Sequence, residues 1–514
     1  MSDSGRSGAG QRRGGGGPSR RNAQGRERNR GPQRNFTESA PSQRTRRADP
    51  ARLVAFEVLR AVAAEDAYAN LVLPARIRQH GLDRRDAGFA TELSYGALRN
   101  QGTYDAILSR CVDRPLEKLD PAVLDALRIG VHQLLAMRVP AHAALDQTVG
   151  LARAVIGAGP STLINAVLRK VAARSMDEWL AELVAGEQDE NKVAAIRYAH
   201  PEWIVRALRQ SLVAHGRPVS EIAELLEADN AAPVVNLVAL PGLGSLDEAL
   251  GSGAVPGELV EGSALSSGGD LGRLESVRSG TTRVQDVGSQ LVARALAGVS
   301  LEAADRGGAD AQETAGEAWL DLCAGPGGKA ALLGALANER GATLLANEPA
   351  PHRAKLVSQA LSAVPSGVWT VRTGDGREVG SERPAAFDRV LVDVPCSGLG
   401  ALRRRPESRW RRTPKDLADL GPLQRELLNS ALAAVRPGGV VAYVTCSPHP
   451  AETTAVVSDA LRKRDDLELL DAGNALDAIS LGGSLEAGHE KTAQLWPHVH
   501  STDAMFLALI RRKR

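Results

Sequence analysis

Hydrophobic residues follow two different patterns along this chain. Between residues 50 and 174 they recur at spacings of three and four, which predicts helices throughout this region. Asp120-Pro121 marks one helix start, because Asp caps a helix N-terminus and Pro suits the first turn. From Trp319 onwards, short apolar runs alternate with helical patterns instead. We therefore predict an all-α domain followed by an α/β domain.

The C-terminal part of the chain contains apolar runs of strand length. Val390–Val392 and Val440–Val444 are apolar almost without a break, as strands buried on both faces must be. Strands of this kind alternate with helices in doubly wound folds, so we expect a Rossmann-like domain with a parallel sheet. The predicted strands are Trp319–Leu322, Thr343–Glu348, Val368–Arg372, Phe387–Asp393, Gly439–Thr445 and Ala504–Ile510.

Composition divides the 514 residues into four parts. Residues 1–49 are rich in Gly, Ser and Arg and are predicted to be disordered. Residues 50–175 form the helical domain. Residues 176–280 combine a helical linker with a Gly- and Ser-rich stretch, which indicates a small α+β subdomain. Residues 281–514 form the α/β domain, in which residues 302–317 are predicted to be a disordered insertion.

The net charge of +2 hides an uneven distribution. The first 50 residues contain 12 Arg, no Lys and 4 acidic residues, so they carry an excess of 8 positive charges. Such a tail is attracted loosely to a polyanion such as RNA. A tail that serves only solubility has the same composition, and the sequence leaves both interpretations open.

Several classes of protein do not fit the composition. No apolar run approaches the length of a membrane span and the N-terminus lacks the apolar core of a signal peptide, so we expect a cytoplasmic protein. The 4 cysteines are too few for a disulfide scaffold and lack metal-ligand spacing, so no metal is expected. Cys323, Cys396 and Cys446 follow predicted strands of the α/β domain, which favours thiol chemistry.

A glycine-rich turn joins the first predicted strand to a helix within Trp319–Ala330. Residues without a Cβ let the backbone come close to a ligand. A phosphate-binding P-loop does not fit, because Lys329 is not followed by Ser or Thr and Cys323 stands where the first Gly is required. The spacing of a dinucleotide-binding turn is also absent. S-adenosylmethionine is therefore the leading candidate ligand, and a purely structural turn is the alternative.

Acidic residues close the next two predicted strands. Ligands of doubly wound sheets bind at the carboxyl ends of the strands. Glu348, about 20 residues past the glycine-rich turn, is placed to bind both ribose hydroxyls of the cofactor. Asp375 is placed to accept from the adenine amino group. Either acid alone is typical of a surface or capping residue, and it is their common position at strand ends that favours a cofactor site.

Cys396 and Cys446 follow neighbouring predicted strands, so we expect them in one crevice beside the cofactor. Methylation of a pyrimidine carbon requires such a thiol. C5 of cytosine attacks a sulfonium methyl group only after a thiolate has added to C6. Loss of the C5 proton and release of the thiol then require a base and a second helper. A buried, inert thiol is the usual alternative for a single Cys.

Motifs in both predicted domains resemble known families. Cys323–Lys329, Asp393–Gly398 and Thr445–Ser447 resemble the signatures of RNA (cytosine-5) methyltransferases. Segments at 83–89, 129–135 and 163–169 resemble NusB-like RNA-binding domains. Over residues 50–514 the chain is therefore similar to the bacterial 16S ribosomal RNA methyltransferases of the Sun/RsmB type.

The resemblance implies roles for individual residues. Cys446 would be the nucleophile that adds to C6, Cys396 the second thiol that assists product release, and Asp393 the contact to the base edge. The implied S-adenosylmethionine contacts are Cys323, Ala324, Gly325, Pro326, Gly327, Gly328, Lys329, Glu348, Asp375 and Asp393. The chain has Gly325 where many members have Ala and Glu348 where many have Asp, and both differences keep the chemistry.

A basic segment follows the Cys396 motif directly, with six Arg around one Trp within Leu402–Arg412. Guanidinium groups that bind phosphates beside an aromatic ring that stacks on a base suit RNA with one nucleotide flipped out. A solvated basic loop is the alternative. The predicted RNA-binding residues are Arg403, Arg404, Arg405, Arg409, Trp410 and Arg411.

We therefore expect a monomeric, S-adenosylmethionine-dependent enzyme that makes 5-methylcytosine in 16S ribosomal RNA. The same reaction on transfer RNA stays open, because the motifs describe the base and not its surroundings. A catalytically idle RNA-binding or antitermination factor would have lost Cys446 or the glycine-rich turn, and neither is lost. DNA methyltransferases carry their nucleophile in a Pro-Cys motif, so Cys446 is preferred over Cys396 by resemblance rather than by spacing.

Overall fold

The computed structural model of the protein describes residues 48–266, 268–269, 271–302 and 316–514. The predicted disordered tail lies outside the described residues except for Ala48 and Asp49, and so does most of the predicted insertion. In the part of the chain that is described, no helix is both long and apolar enough to cross a membrane.

The first part of the described chain is helical, as the spacing of its apolar residues predicts. Asp49 and Asp120 cap two of the helices through hydrogen bonds to Arg52 N and Ala122 N, and a Pro follows each cap. The apolar faces of these helices bury a common core. The helices are α1 (Pro50–Glu65), α2 (Ala69–Gln79), α3 (Arg84–Arg99), α4 (Gln101–Cys111), α5 (Pro121–Leu135), α6 (Ala141–Val155) and α7 (Ala158–Val171).

The middle of the chain contains further helices and a small antiparallel sheet, in agreement with the α+β prediction for this region. The helices are α8 (Met176–Val184), α9 (Glu190–Arg197), α10 (Glu202–Ala214), α11 (Ile222–Asn230), α12 (Asp247–Gly251) and α13 (Glu275–Arg278). The strands are β1 (Val235–Ala239), β2 (Val255–Pro256), β3 (Ser263–Ser266) and β4 (Thr282–Val284), in the spatial order β2-β3-β1-β4.

A large mixed sheet forms the centre of the C-terminal region. Its strands are β5 (Ala318–Asp321), β6 (Thr343–Glu348), β7 (Trp369–Thr373), β8 (Phe387–Asp393), β9 (Val435–Thr445), β10 (Leu467–Leu470), β11 (Gly488–His489), β12 (Thr492–Gln494) and β13 (Phe506–Arg512). The associated helices are α14 (Val287–Gly298), α15 (Gly328–Glu339), α16 (Pro351–Ala360), α17 (Val379–Glu382), α18 (Ser408–Arg411), α19 (Pro414–Ala434), α20 (Thr454–Arg462), α21 (Ala472–Asp477) and α22 (Pro497–His500).

The order of the sheet is β11-β12-β13-β9-β8-β5-β6-β7, with β10 paired to β13. Strands β7, β6, β5, β8 and β9 are parallel, as predicted. The last strand differs from the expectation of a wholly parallel sheet, because β13 runs antiparallel to β9. Phe506 at its start pairs with Thr445 at the end of β9, so the chain enters β13 at the carboxyl edge of the parallel strands.

The connection order places a crevice at the end of β5. The chain runs from β5 to β6 and β7 on one side and then crosses to β8 and β9 on the other side. Ligands of doubly wound sheets bind at such a reversal, outside the carboxyl ends of the strands. Helices cover both faces of the sheet and bury an apolar core on each. The strand ends are thereby held on a rigid frame.

Candidate active site

The two cysteines of the predicted crevice lie side by side. Cys396 follows β8 and Cys446 follows β9, and because these strands are parallel neighbours their ends carry the two thiols together. The sulfur atoms are 3.4 Å apart. Interaction with the Cys446 thiol and burial both raise the pKa of Cys396 well above its usual range. Cys396 is therefore a protonated thiol at neutral pH.

A buried carboxylate holds the two thiol loops together. Glu452 is fully buried, and its Oε1 accepts hydrogen bonds from Ser397 N at 2.8 Å and Gln424 Nε2 at 3.1 Å. Its Oε2 accepts from Ser397 Oγ at 2.5 Å, and this hydroxyl lies 3.1 Å from Ser447 Oγ. Ser397 and Ser447 each follow one of the cysteines. Sequence reasoning missed Glu452, because nothing near it in the sequence indicates that it faces Ser397.

A Glu452→Gln variant is expected to lose stability and activity together. The amide group of Gln presents a donor where Ser397 needs an acceptor, and an unsatisfied buried polar group costs about 1–3 kcal/mol. Chemical denaturation should show this loss, and the rate of methyl transfer should fall with it. Glu468→Gln, at an exposed position of β10, is the matched control and should change neither quantity. An unaltered free energy of unfolding in Glu452→Gln would contradict the anchoring role.

A lysine and an aspartate form an ion pair near Cys446. Lys329 Nζ lies 2.8 Å from Asp393 Oδ2. Burial acts to lower the pKa of Lys329, but the attraction and hydrogen bond of Asp393 and the proximity of Cys446 raise it above its usual value. Lys329 is therefore a cation beside Cys446, and a neighbouring cation favours the thiolate form of a cysteine.

The glycine-rich turn packs tightly against the second strand end. A Cβ on Gly325 would overlap Glu348 Oε2, and a Cβ on Gly327, whose φ is +109°, would overlap Ala360. Glu348 is buried at the end of β6, where its Oε1 accepts from Ala350 N at 3.0 Å. The structure thus brings the turn and Glu348 together. Because Gly325 has no Cβ, the Glu348 carboxylate has room beside the glycine-rich turn.

Asp375 also lies just past the end of a strand, β7, but its carboxylate is engaged locally. Its Oδ1 accepts from Arg377 N at 2.9 Å, and its Oδ2 is 2.5 Å from Arg377 Nη2. Hydrogen bonds from the Arg377 side chain and backbone lower the pKa of Asp375. The capping role that the sequence left open is thus present in the structure, and the predicted contact with adenine stays a prediction.

Asp321, at the end of β5, was missed by sequence reasoning. Its side chain is buried, and neither carboxylate oxygen has a hydrogen-bond partner among the described residues. Burial, reinforced by the charge of Asp393, raises the pKa of Asp321 to about 7. The sequence did carry a signal, since an acid within the apolar strand Trp319–Leu322 has to be buried. An unpaired buried acid beside the glycine-rich turn is available to a ligand.

These groups fit S-adenosylmethionine. The cofactor carries an ammonium and a sulfonium charge, which suit the buried carboxylate of Asp321, and two ribose hydroxyls, which suit that of Glu348. The narrow turn at Gly325 and Gly327 allows close approach of a ligand to the backbone. No group of three or more His, Cys, Asp or Glu in the described part of the chain is arranged to hold a metal ion.

The structure corrects the predicted RNA-binding role of Arg409. Its side chain is 0% exposed. The guanidinium donates to Arg99 O at 3.1 Å, to Asn230 Oδ1 at 2.6 Å and to Asp229 O at 2.7 Å. These acceptors belong to α3 and α11, so Arg409 joins the helical regions to the C-terminal region and does not present its charge to RNA.

Arg403 and Arg404 are also used inside the protein. Both donate to Asp503 Oδ1, at 3.0 and 2.9 Å, and both bond Asp286 Oδ2. Arg403 is buried and therefore does not reach RNA in this arrangement, which corrects its predicted role. Arg405 is exposed, and RNA binding by Arg405 stays a prediction.

Comparison with known proteins agrees with the motifs. The family model for the 16S rRNA methyltransferase RsmB/F matches residues 311–511, and the NusB family model matches residues 49–173. A protein of Erwinia tasmaniensis named ribosomal RNA small subunit methyltransferase B is 30% identical over 436 residues, which cover 82% of this chain and 92% of that protein. The chain belongs to the RsmB/F family of 16S rRNA methyltransferases.

Two further proteins are similar to this chain over most of its length. A Mycobacterium tuberculosis (strain H37Rv) protein, whose name calls it a methyltransferase without stating a substrate, is 47% identical over 473 residues, covering 91% of this chain and 98% of that protein. A solved structure described as PH0851 has a TM-score of 0.72 at 20% identity and covers 91% of this chain and 100% of that one, so it shares the fold. The resemblance and the fold class predicted from the sequence are thus confirmed.

Proposed function

We propose that this protein transfers a methyl group from S-adenosylmethionine to C5 of a cytosine in 16S ribosomal RNA. The observation that carries the proposal is the pair of thiols 3.4 Å apart at adjacent strand ends, next to the glycine-rich turn. A reaction that needs only a nucleophile requires one thiol. A second thiol at this distance suits a reaction in which a covalent adduct has to be resolved after methyl transfer.

In the proposed mechanism, Cys446 forms the first bond. Its sulfur adds to C6 of a flipped cytosine, which places an electron pair at C5 and requires a proton at N3. Asp393 is the group assigned to this base edge. Its side chain is 28% exposed and one of its oxygens is not bonded to Lys329, so that oxygen can accept a hydrogen bond from N3 once N3 is protonated. Lys329 lies beside Cys446 and favours the attacking thiolate.

The bound cofactor supplies an electrophilic methyl group, which C5 accepts. The C5 proton must then pass to a base, and the bond between C6 and Cys446 must break with its electron pair going to the sulfur, which restores the aromatic base. Cys396 lies 3.4 Å from the sulfur that departs, so its thiol can give a proton to that sulfur, and the Cys396 thiolate that remains is the base that takes the C5 proton. The contact supports a second thiol as the helper in release, and the family resemblance assigns that role to Cys396 and the attack on C6 to Cys446.

A Glu348→Gln variant tests the proposed cofactor contact. A neutral amide accepts a hydrogen bond from a ribose hydroxyl less strongly than a carboxylate does. A hydrogen bond to a charged group contributes about 1.5–3 kcal/mol. We expect the dissociation constant for S-adenosylmethionine to rise at least about tenfold in calorimetric titration without RNA. Glu339→Gln, at the exposed end of α15, should bind as the parent does. Equal affinity in both variants would show that Glu348 does not bind the cofactor.

Bisulfite sequencing of ribosomal and transfer RNA, from cells with and without the gene, tests the substrate. We expect one cytosine of 16S ribosomal RNA to be converted by bisulfite when the gene is absent and to resist conversion when the gene is restored. A change confined to transfer RNA would support the alternative substrate. No change in any RNA would contradict the proposed reaction.

A further inference from the structure

Side chains between Glu407 and Arg411 bind main-chain groups of the helical domain. Glu407 Oε1 accepts from Ala69 N at 3.1 Å, Trp410 Nε1 donates to Leu98 O at 3.3 Å, and Arg411 Nη2 donates to Val62 O at 2.7 Å and Ala67 O at 2.6 Å. Together with Arg409, these contacts engage α1, α2 and α3. Such a dense set of contacts fixes the segment against a domain that is remote in sequence.

Trp410 fits against a position of α4 where only Gly leaves enough room. A Cβ on Gly102 would overlap the outer ring of Trp410. By contrast, an added Cβ on Gly88 in α3 or Gly150 in α6 would meet nothing within 4 Å. Gly102 lies in the first turn of α4 and its φ is outside the left-handed region, so its backbone does not require Gly. The contact with Trp410 therefore accounts for the glycine.

The other end of the same segment is bonded to the main chain of Cys446. Gly400 N donates to Cys446 O at 2.9 Å, and Gly400 O accepts from Ala504 N at 2.8 Å. Leu399 and Leu402 are buried in an apolar cluster with residues of α10 and α11. The segment thus runs from Cys446 to the helical domain, and its contacts are fixed at both ends.

We propose that the helical domain positions the two active-site thiols by holding this segment, with Trp410 against Gly102 as the central contact. The inference rests on the proposed function and adds a role for the helical domain in the chemical step. Trp410 and Gly102 are positioning residues, because neither contacts the thiols. Positioning matters because a displacement of about 1 Å can slow a reaction about 100-fold.

The test perturbs the contact from the helical side, away from the active site. Gly102→Ala is expected to lower kcat for cytosine methylation at least about tenfold, with the KM for RNA changed less than about twofold. Gly150→Ala, the matched control, should match the parent in both constants. Trp410→Ala, which removes the ring without crowding α4, should show the same loss of kcat. Thermal unfolding of each variant is measured in parallel to confirm that it is folded.

A double variant separates positioning from general damage. Phe lacks the outer ring of Trp, so Gly102→Ala combined with Trp410→Phe should recover most of the kcat lost in Gly102→Ala alone. If Gly102→Ala keeps the parent kcat, raises only KM, or is slowed further by Trp410→Phe, the positioning role is wrong. If the parent and Gly150→Ala make no 5-methylcytosine, it is the proposed function that fails.

Discussion

Cys446→Ala is expected to abolish methyl transfer while leaving S-adenosylmethionine binding intact. Without sulfur at C6, C5 of cytosine is too weak a nucleophile to accept the methyl group, so kcat should fall at least about a thousandfold. The proposed cofactor contacts Glu348 and Asp321 are unchanged in this variant. Transfer of a radioactive methyl group to RNA measures the loss, and calorimetry measures cofactor binding.

Cys111→Ala is the matched control for Cys446→Ala. Cys111 is a free cysteine buried in the helical domain at the end of α4. Removing its thiol should leave kcat within about twofold of the parent and cost about 1 kcal/mol or less of stability. Methyl transfer at the parent rate by Cys446→Ala would show that another group attacks the base, and the assigned roles would be wrong.

Cys396→Ala is expected to accumulate a covalent complex with RNA. The first methyl transfer should proceed, because Cys446 and Lys329 are unchanged, but release of Cys446 from C6 loses its helper. A shifted protein band on a denaturing gel should therefore appear within one turnover, and multiple turnovers should slow at least about 100-fold. The double variant Cys396→Ala/Cys446→Ala should give no such band.

The outcome for Cys396→Ala shows which role each of the two thiols has. A complex that forms in Cys446→Ala and not in Cys396→Ala would exchange their roles. Cys396 and Cys446 both lie at the crevice, so their position relative to the glycine-rich turn does not show which of them is the nucleophile. The contact between the two sulfur atoms is the same seen from either residue, so the assignment of Cys446 as the nucleophile and Cys396 as the helper follows from the family resemblance.

The sequence predicted the crevice well because its residues follow buried strands. Parallel strands need nearly continuous apolar runs, and the residue after each run lies at the carboxyl edge of the sheet. Cys396, Cys446 and Glu348 could be located by this rule without knowledge of the loops between them. Their roles in the reaction remain predictions.

In the basic segment, prediction from charge and position failed. Both features indicated contact with RNA for Arg403 and Arg409, yet both side chains are buried against groups remote in sequence. Arg409 binds carbonyls of α3 and α11, and a sequence pattern does not show which carbonyls lack partners. For the same reason Glu452 was missed, since its partner Ser397 is 55 residues away.

The direction of β13 could not be predicted from its apolar run. Buried strands have the same residue types in either direction, and only the path of the preceding loop decides between them. That loop crosses the carboxyl edge, where Ala504 N bonds Gly400 O at 2.8 Å, and the strand then runs back along β9. The antiparallel strand thereby brings its leading loop next to Cys446.

The proposed mechanism requires a covalent bond between the Cys446 sulfur and C6 of the target cytosine. This bond can be trapped with 16S ribosomal RNA containing 5-fluorocytosine, incubated with the protein and S-adenosylmethionine. Fluorine at C5 does not leave as a proton does, so the adduct persists and its peptide can be identified by mass spectrometry. We predict a methylated base attached to Cys446. Attachment to Cys396, or a protein that methylates normal RNA but is never captured, would contradict the mechanism.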